Sequence, residues 1–435
     1  MADLLALSGE ILETGHSEGP INRITHELSE ISDEIAIVEA FSHSIVFRTD
    51  DGLVVFDTSG IPSGDRVVKA IRGWNDVDRF NSLVYTHGHI DHVGGCGAFL
   101  ADVERRSDPR PEIIAHENVP ARFDRYDLTN GYNLVINSRQ FRGFIKKGYG
   151  IGGKDNHFLP KTTRKPDTTY RTRLERTIGG LEIEFHHARG ETDDHTWAWI
   201  PEHRAICAGD FFIWNFPNAG NPQKVQRYPR EWAAAMRAMA GQGAELFLPA
   251  HGLPIAGRDR IRGVLLEVAE TLETLVADTL ALMNEGARLN DIIHSVKVDP
   301  ERLERPYLKP LYDEPEFVVR NIWRMYGGWY DGNPAHLKPA RDADLARELA
   351  ELSGGVQNLA ERAKKLAASG DLRLACHLVE LATLAEPGNK AVHAIRAEIY
   401  QLRREAESSL MAKGIFGYAS AESLDAAGEE DPYRD

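Results

Sequence analysis

Cysteine is scarce in this 435-residue chain: Cys96, Cys207 and Cys376 are the only three, and they lie far apart. Without an even framework, a disulfide-stapled secreted scaffold is excluded and a reducing compartment, by default the cytoplasm, is expected. Long apolar runs are missing too, so no membrane span is expected. The opening stretch Met-Ala-Asp-Leu-Leu-Ala-Leu-Ser-Gly-Glu has no basic segment before its brief apolar run and does not read as a secretory signal. Positive charge is in deficit: 51 Lys and Arg against 66 Asp and Glu leave a formal net charge of -15. Nucleic-acid binders present basic surfaces, so no nucleic-acid partner is expected.

What is present is ordinary for a globular protein, with 42% hydrophobic and 27% charged residues. The length exceeds what one core accommodates and implies two or three structural units. One stretch dominates. Leu83 to Gly95 reads Leu-Val-Tyr-Thr-His-Gly-His-Ile-Asp-His-Val-Gly-Gly and places three histidines and an aspartate within six residues. A short apolar run before it has the character of a buried strand, and the small residues after it can open a helix. A tight loop there lets His87, His89, Asp91 and His92 converge on one point. Imidazole and carboxylate are the ligands that Zn and similar divalent ions favour. A polar surface loop is the plain alternative, but four ligand-type residues at this spacing form a far denser signal than a lone His.

Before this loop, Ile35 to Val38, Ser44 to Arg48 and Leu53 to Asp57 read as strands around a turn at Asp50-Asp51-Gly52. Ser63 to Trp74 has the apolar spacing of a helix, while residues 1–30 read as an irregular arm. Beyond the loop, short strands are expected at Glu112 to Ala115, Leu181 to His187, Thr196 to Ile200, Ala205 to Cys207 and Glu245 to Leu248. His116, His186 and His187 read as strand residues and not as ligands. Residues 120–178 are rich in Arg, Lys, Tyr, Gly and Asn, with Gly148, Gly150, Gly152 and Gly153 close together. They are expected as a long irregular insertion facing the substrate, because such segments are commonly lids or binding loops. Arg125 and Arg139 within it are better read as solvated than as anion contacts.

The spacing His-x-His-x-Asp-His resembles the signature of the metallo-β-lactamase superfamily. That resemblance implies an αββα sandwich holding two metal ions, with Zn2+ expected at two per chain. Asp57 then resembles a residue bracing the metal loop, Asp210 in Ala208-Gly209-Asp210 the bridging carboxylate, and His251 in Pro249-Ala250-His251-Gly252 the last ligand. Glu191 stands where most of the superfamily has a His. That exchange, together with Tyr326-Gly327-Gly328-Trp329-Tyr330-Asp331-Gly332-Asn333-Pro334, resembles the alkyl sulfatases. The implied ligand set is His87, His89 and Glu191 for one metal and Asp91, His92 and His251 for the other, with Asp210 between them. His195 is an alternative ligand or a proton donor. Asp91, Asp210 and His195 are thus the candidate catalytic residues. Two divalent cations with Glu191, Asp91, Asp210 and a hydroxide sum to roughly zero charge, so an anionic ester needs separate cationic or amide clamps.

Asn218 sits where the alkyl sulfatases have an Asn that contacts sulfate, and Lys224 or Arg227 can replace the Arg that follows it. A Pro-bracketed structural loop is the competing reading of this stretch. The helix before the Trp-Tyr-Asp-Gly-Asn-Pro segment has Phe317 where those enzymes place a His, with Arg320 one turn on as a further substrate contact. The expected activity is cleavage of a small-molecule sulfate ester to alcohol and sulfate. Hydrolysis of a phosphodiester, lactone or carboxylic ester is the alternative, and a non-catalytic scaffold a distant one.

The C-terminal half is helical by pattern. Asp259 to Glu285 carries Ile261, Leu265, Val268, Leu272 and Leu275 at helical spacing and stops at Gly286. Asp342 to Leu352, Val356 to Ala368, Asp371 to Ala385 and Lys390 to Glu405 follow as helix pairs of tetratricopeptide type, and the chain past Tyr418 is expected to fray. The fold class expected is α+β: a catalytic sandwich over residues 1–265, a helical extension over 266–339, a helical module over 340–420 and an acidic tail over 421–435. Residues 340–415 resemble the alkyl sulfatase dimerisation domain, which implies a homodimer. The sterol-carrier-like module that often follows it in those enzymes is not in this sequence.

Overall fold

A computed structural model describes residues 2–141 and 157–430, and these fall into two compact units. The first unit is built on two sheets. One has seven strands in sequential order: β1 (Leu28–Glu30), β2 (Ile35–Val38), β3 (Ser44–Thr49), β4 (Gly52–Phe56), β5 (Phe80–Val84), β6 (Glu112–His116) and β7 (Thr168–Tyr170). The β1 to β4 pairings are antiparallel, and those from β4 to β7 are parallel. The other sheet runs β13-β12-β11-β10-β9-β8, from β8 (Arg173–Ile178), β9 (Leu181–His187), β10 (Thr196–Ile200), β11 (Ala205–Gly209), β12 (Leu246–Pro249) and β13 (Ile255–Ala256).

Alternation along the strands sends side chains to two faces. Phe47 and Phe56 stack edge to face, and Phe56 reaches Phe185 of the second sheet at 6.2 Å, so this face is the interior between sheets. Val46, Leu53 and Val55 point the other way, into a core with Val67 and Ile71 of helix Gly64–Trp74 and Phe99 of helix Cys96–Arg106. Buried on both faces, β3 and β4 read as continuous apolar runs. On the second sheet lies helix Pro229–Gly241, followed by helix Arg258–Asn284, whose Ile261, Leu265, Val268, Leu272 and Leu275 are all buried as their spacing predicts. The layers are α, β, β, α.

The second unit holds helices Asp342–Leu352, Val356–Ala368, Leu372–Ala385, Lys390–Glu405 and Leu410–Ala427. Asp371, Asn389 and Ser409 accept the free amides of Leu374, Val392 and Ala412 at three of their N-termini. Small side chains, Ala360, Ala363, Ala375 and Ala382, fill the contacts between them.

Three expectations are corrected. Within the N-terminal arm, Leu4–Thr14 is a helix, capped by Asp3 and buried through Leu4 and Ile11. Of the insertion at 120–178, the described residues are largely regular, with helices Val119–Leu128 and Asn130–Gln140 and strands β7 and β8; Gly148, Gly150, Gly152 and Gly153 lie outside the described residues. Its polar, Gly-bearing start Asn130-Gly131-Tyr132-Asn133 masks the helical period. The chain past Tyr418 continues in a helix to Ala427, which buries Met411, Gly417, Ser420 and Ser423 and so has no large-residue stripe to read.

Candidate metal centre

Strand β5 ends at Val84, and Tyr85 to His89 form the loop that enters the short helix Ile90–Val93. Two ligand groups meet there. His87, His89, Glu191 and Asp210 bring one donor atom each within 4.8 Å of one another, and so do Asp91, His92 and His251. Glu191 comes from the loop after β9, Asp210 from the end of β11 and His251 from the end of β12. All these loops lie at one edge of the sandwich, because parallel neighbours such as β11 and β12 end at the same side.

Asp210 faces both groups. Its Oδ1 is 3.3 Å from His92 Nε2 and 3.4 Å from His251 Nε2, while its Oδ2 is 3.8 Å from His87 Nε2. His251 Nε2 also lies 3.5 Å from Asp91 Oδ2, and Glu191 Oε1 lies 3.8 Å from His89 Nδ1. Among the described residues His92 Nε2, Glu191 Oε2 and Asp210 Oδ1 are buried without a hydrogen-bond partner. Buried polar atoms are normally satisfied, and nitrogen and carboxylate donors left bare around one point fit a pair of divalent cations.

Partners behind the ligands set their orientation. His92 Nδ1 is 2.7 Å from Asp57 Oδ2 and 3.0 Å from Ser42 Oγ, which turns Nε2 toward Asp91 and Asp210. Asp57 also accepts from the Thr86 amide and hydroxyl, both at 2.8 Å, and holds a left-handed backbone at φ +60. Such strain persists where surrounding contacts over-determine it. Asn22 accepts from Gly252 N at 3.0 Å and lies 3.5 Å from His251 Nδ1.

Burial pushes His87 and His89 well below the usual imidazole range, so both present lone pairs. Burial acts the same way on His92 and His251, but Asp210 and its neighbours overcome it: His92 is held well above the usual range and His251 is raised to about 10. Asp210 is correspondingly depressed despite its burial, by His92 and His251. A metal-free second group is therefore an ion-paired cluster that must shed protons to bind a cation.

Glu191 is buried with a buried cation. Burial raises its carboxyl well above the usual range, and Arg227, with Nη1 at 3.0 Å from Oε1, opposes that rise. The same guanidinium donates to the Glu191 carbonyl, and Asn218 Nδ2 donates to Oε1. Arg227 and Asn218 therefore hold Glu191, because a buried carboxylate needs its own counter-charge and donor. Lys224 is half-buried, with Nζ 5.7 Å from the Phe158 ring centroid. Burial and Arg227 lower its ammonium to about 7 against the pull of Asp91 and Glu191, which places it in the field of both ligand groups.

His195 is fully buried, stacks on Phe211 at 4.2 Å, and accepts the Asp210 amide at Nε2 over 3.1 Å. Burial lowers it to about 3, and through its bond to the Asp210 amide it braces Asp210 from behind. Gly209 makes that approach possible, since a Cβ there would lie 2.7 Å from His195 Nε2. Arg320 is exposed and pairs with Glu316 one turn back at 3.7 Å, because its face of helix Pro315–Gly327 is the one opposite Val318, Val319 and Ile322. His116 ends β6 and stacks on His187 at 3.6 Å, a strand pair as expected.

Sequence reasoning missed Asn22, Ser42 and Tyr312. Tyr312 is raised well above the usual phenol range by burial and by the charges of Glu191 and Asp91, so it stands near the centre. Its neighbour Asp313 is buried and accepts the Gly220 amide at 2.6 Å, tying this segment to the Asn218 loop. None of these carries a local signal in the sequence.

Comparison with known proteins agrees with this architecture. The metallo-beta-lactamase superfamily profile matches residues 38–251, and that for alkyl sulfatase dimerisation matches residues 288–425. A linear primary-alkylsulfatase of Pseudomonas sp. is 26% identical over 368 residues, covering 82% of this chain and 69% of the relative. An (R)-specific secondary-alkylsulfatase of Pseudomonas sp. is 24% identical over 385 residues, covering 84% and 57%. The solved stereoselective inverting sec-alkylsulfatase from Pseudomonas sp. superposes with a TM-score of 0.81 at 20% identity over 94% of this chain and 66% of that one. The chain thus spans little more than half to about two thirds of the length of these relatives.

Proposed function

The chain belongs to the metallo-beta-lactamase superfamily through residues 38–251 and carries the alkyl sulfatase dimerisation module over residues 288–425, and we propose that it hydrolyses a sulfate ester at a dinuclear metal centre. The observation that supports this most is Asp210, whose two carboxylate oxygens face separate ligand groups. His87, His89 and Glu191 would hold one cation and Asp91, His92 and His251 the other, with Zn2+ favoured by the nitrogen-rich donor set. Bound there, the pair supplies Lewis acidity, which makes water a nucleophile at neutral pH and steadies the oxygens of the departing groups.

The protein's part is orientation and charge. Asp210 spans the two groups, and His195 and Gly209 fix its backbone. Asp57 keeps His92 in one tautomer. Lys224 is the cation that would meet a sulfate, and a cationic anchor favours a monoanionic ester over a neutral lactone or carboxylic ester. Among the described residues no helix is long and apolar enough to cross a membrane. A cytoplasmic site of action fits Cys96, Cys207 and Cys376, all free. Homodimerisation through the C-terminal helices follows from the module they match, and in this unit Trp329 and Leu352 are exposed apolar side chains.

The test is sulfate release from a panel of primary and secondary alkyl sulfates, with metal content measured on the same preparation. About two equivalents of metal and sulfate release are expected, with Glu191→Ala losing the metal of the first group and the activity together. Turnover of neutral esters without sulfate release would sink the substrate assignment.

A further inference from the structure

The loop that carries Glu191 is joined to the His87-Gly88-His89 turn by a buried ionic clamp made of residues outside the ligand groups. Arg122, on helix Val119–Leu128, is buried at 3% exposure. Its Nε lies 2.6 Å from Asp194 Oδ2, and its Nη2 meets Asp193 Oδ1. The same Asp194 oxygen accepts the Gly88 amide at 3.1 Å, the amide between the two histidines. Asn118 Nδ2 donates to the Asp193 carbonyl at 2.9 Å and ties the loop to the start of the same helix. No side chain fits between: a Cβ on Gly88 would stand 2.7 Å from Arg122 Cδ and 3.0 Å from Asp194 Oδ2.

One carboxylate oxygen thus bonds both a cation and the backbone of a ligand loop. Charge-assisted hydrogen bonds are short and directional, so they fix distance better than apolar packing does. The second group has supports of its own in Asp57, Ser42 and Asn22. We propose that Arg122 and Asp194 are positioning residues that set the separation between Glu191 and the histidines His87 and His89, and so the affinity of the first metal group alone. The inference rests on the dinuclear reading given under Proposed function. A clamp that only stabilises the fold would act on both groups alike.

Metal-free full-length protein titrated with Co2+, followed by absorption and by competition with a chromophoric chelator, separates the two binding constants. Asp194→Asn, which keeps the shape and loses the charge, and Arg122→Lys should each weaken one constant about tenfold or more, the range for residues supporting metal ligands. The other constant should stay within about threefold, whatever fall in melting point the unpairing of a buried charge brings. In a His251→Ala background, where the first group remains, the effect should persist; in Glu191→Ala it should vanish. Asn118→Ala, a milder lesion that leaves the charges paired, should shift the same constant about threefold and guards against loss of the fold. Equal weakening of both constants, or none in these variants, overturns the proposal. A wild-type chain that binds no Co2+ refutes the dinuclear reading itself.

Discussion

At the scale of single residues, the centre is a problem in satisfying buried carboxylates. Asp57 receives three donors, the Thr86 amide at one oxygen and the Thr86 hydroxyl and His92 Nδ1 at the other. Only an ionised carboxylate accepts on both sides. An Asn amide that turned its oxygen to His92 would present NH2 to the Thr86 amide, leaving two donors opposed in a dry site. Asp57→Asn should therefore lower metal affinity roughly 10- to 100-fold, the range for residues that orient a metal-ligating His. Chelator competition on the purified variant measures it, and an unchanged affinity would show that Asp57 serves only the turn. Glu191 solves the same problem with Arg227 and Asn218. Two residues expected to contact the substrate thereby also brace the ligand.

Elements decide which of these residues can meet. The seven candidate ligands arrive from the ends of β5, β9, β11 and β12, and the strand edges place them within a few ångströms although positions 87 and 251 are far apart in the chain. Helix ends in the second unit are held differently, by single caps. Asp371 accepts the Leu374 amide at the start of helix Leu372–Ala385. Replacing it by Ala removes that acceptor and should cost about 1 kcal/mol. Urea unfolding followed by circular dichroism would report it as an earlier transition of the helical signal, with metal content untouched. A matching loss of metal would show that the cap matters beyond its helix.

The whole molecule titrates in two opposed directions. His43 is buried, donates to the Gly252 carbonyl at 2.8 Å, and is lowered to about 4 by burial; His187 is lowered to about 4 by burial and by His116. Unfolded, each returns to about 6.5. The unfolded chain therefore takes up protons first, and stability present above about pH 6.5 is lost as pH falls toward 4. For His43 the difference of about 2.5 units corresponds to on the order of 3 kcal/mol at most. His251 has the opposite sign: raised to about 10 in the metal-free fold, it contributes stability below about pH 6.5 that is lost as pH rises toward 10. Metal-free protein should melt highest near pH 6.5, and added Zn2+ should remove the alkaline loss, because a metal-bound imidazole is already neutral and has no further proton to lose over that range. Thermal melts from pH 4 to 9 with and without chelator check this; an alkaline loss of equal size in both would contradict it.

Much of this was legible in the chain alone. The spacing of His87, His89, Asp91 and His92, the short apolar runs of β3 and β4, and the stripe of helix Arg258–Asn284 are local patterns, and local patterns fix secondary structure and ligand type. Resemblance of short motifs extended the ligand set to Glu191, Asp210 and His251. Only the tertiary structure decided what stands behind each ligand. Arg122 meets Asp194 across 72 positions and Asn22 meets Gly252 across 230, and no periodicity encodes such meetings. Nearness to Glu191 suggests His195 and a motif resemblance suggests Arg320, but only the direction of a strand end and the buried face of a helix set one behind Asp210 and the other toward solvent. Chemical identity is written residue by residue, but which groups share a low-dielectric interior, and hence a charge state, is settled only when the sheets close.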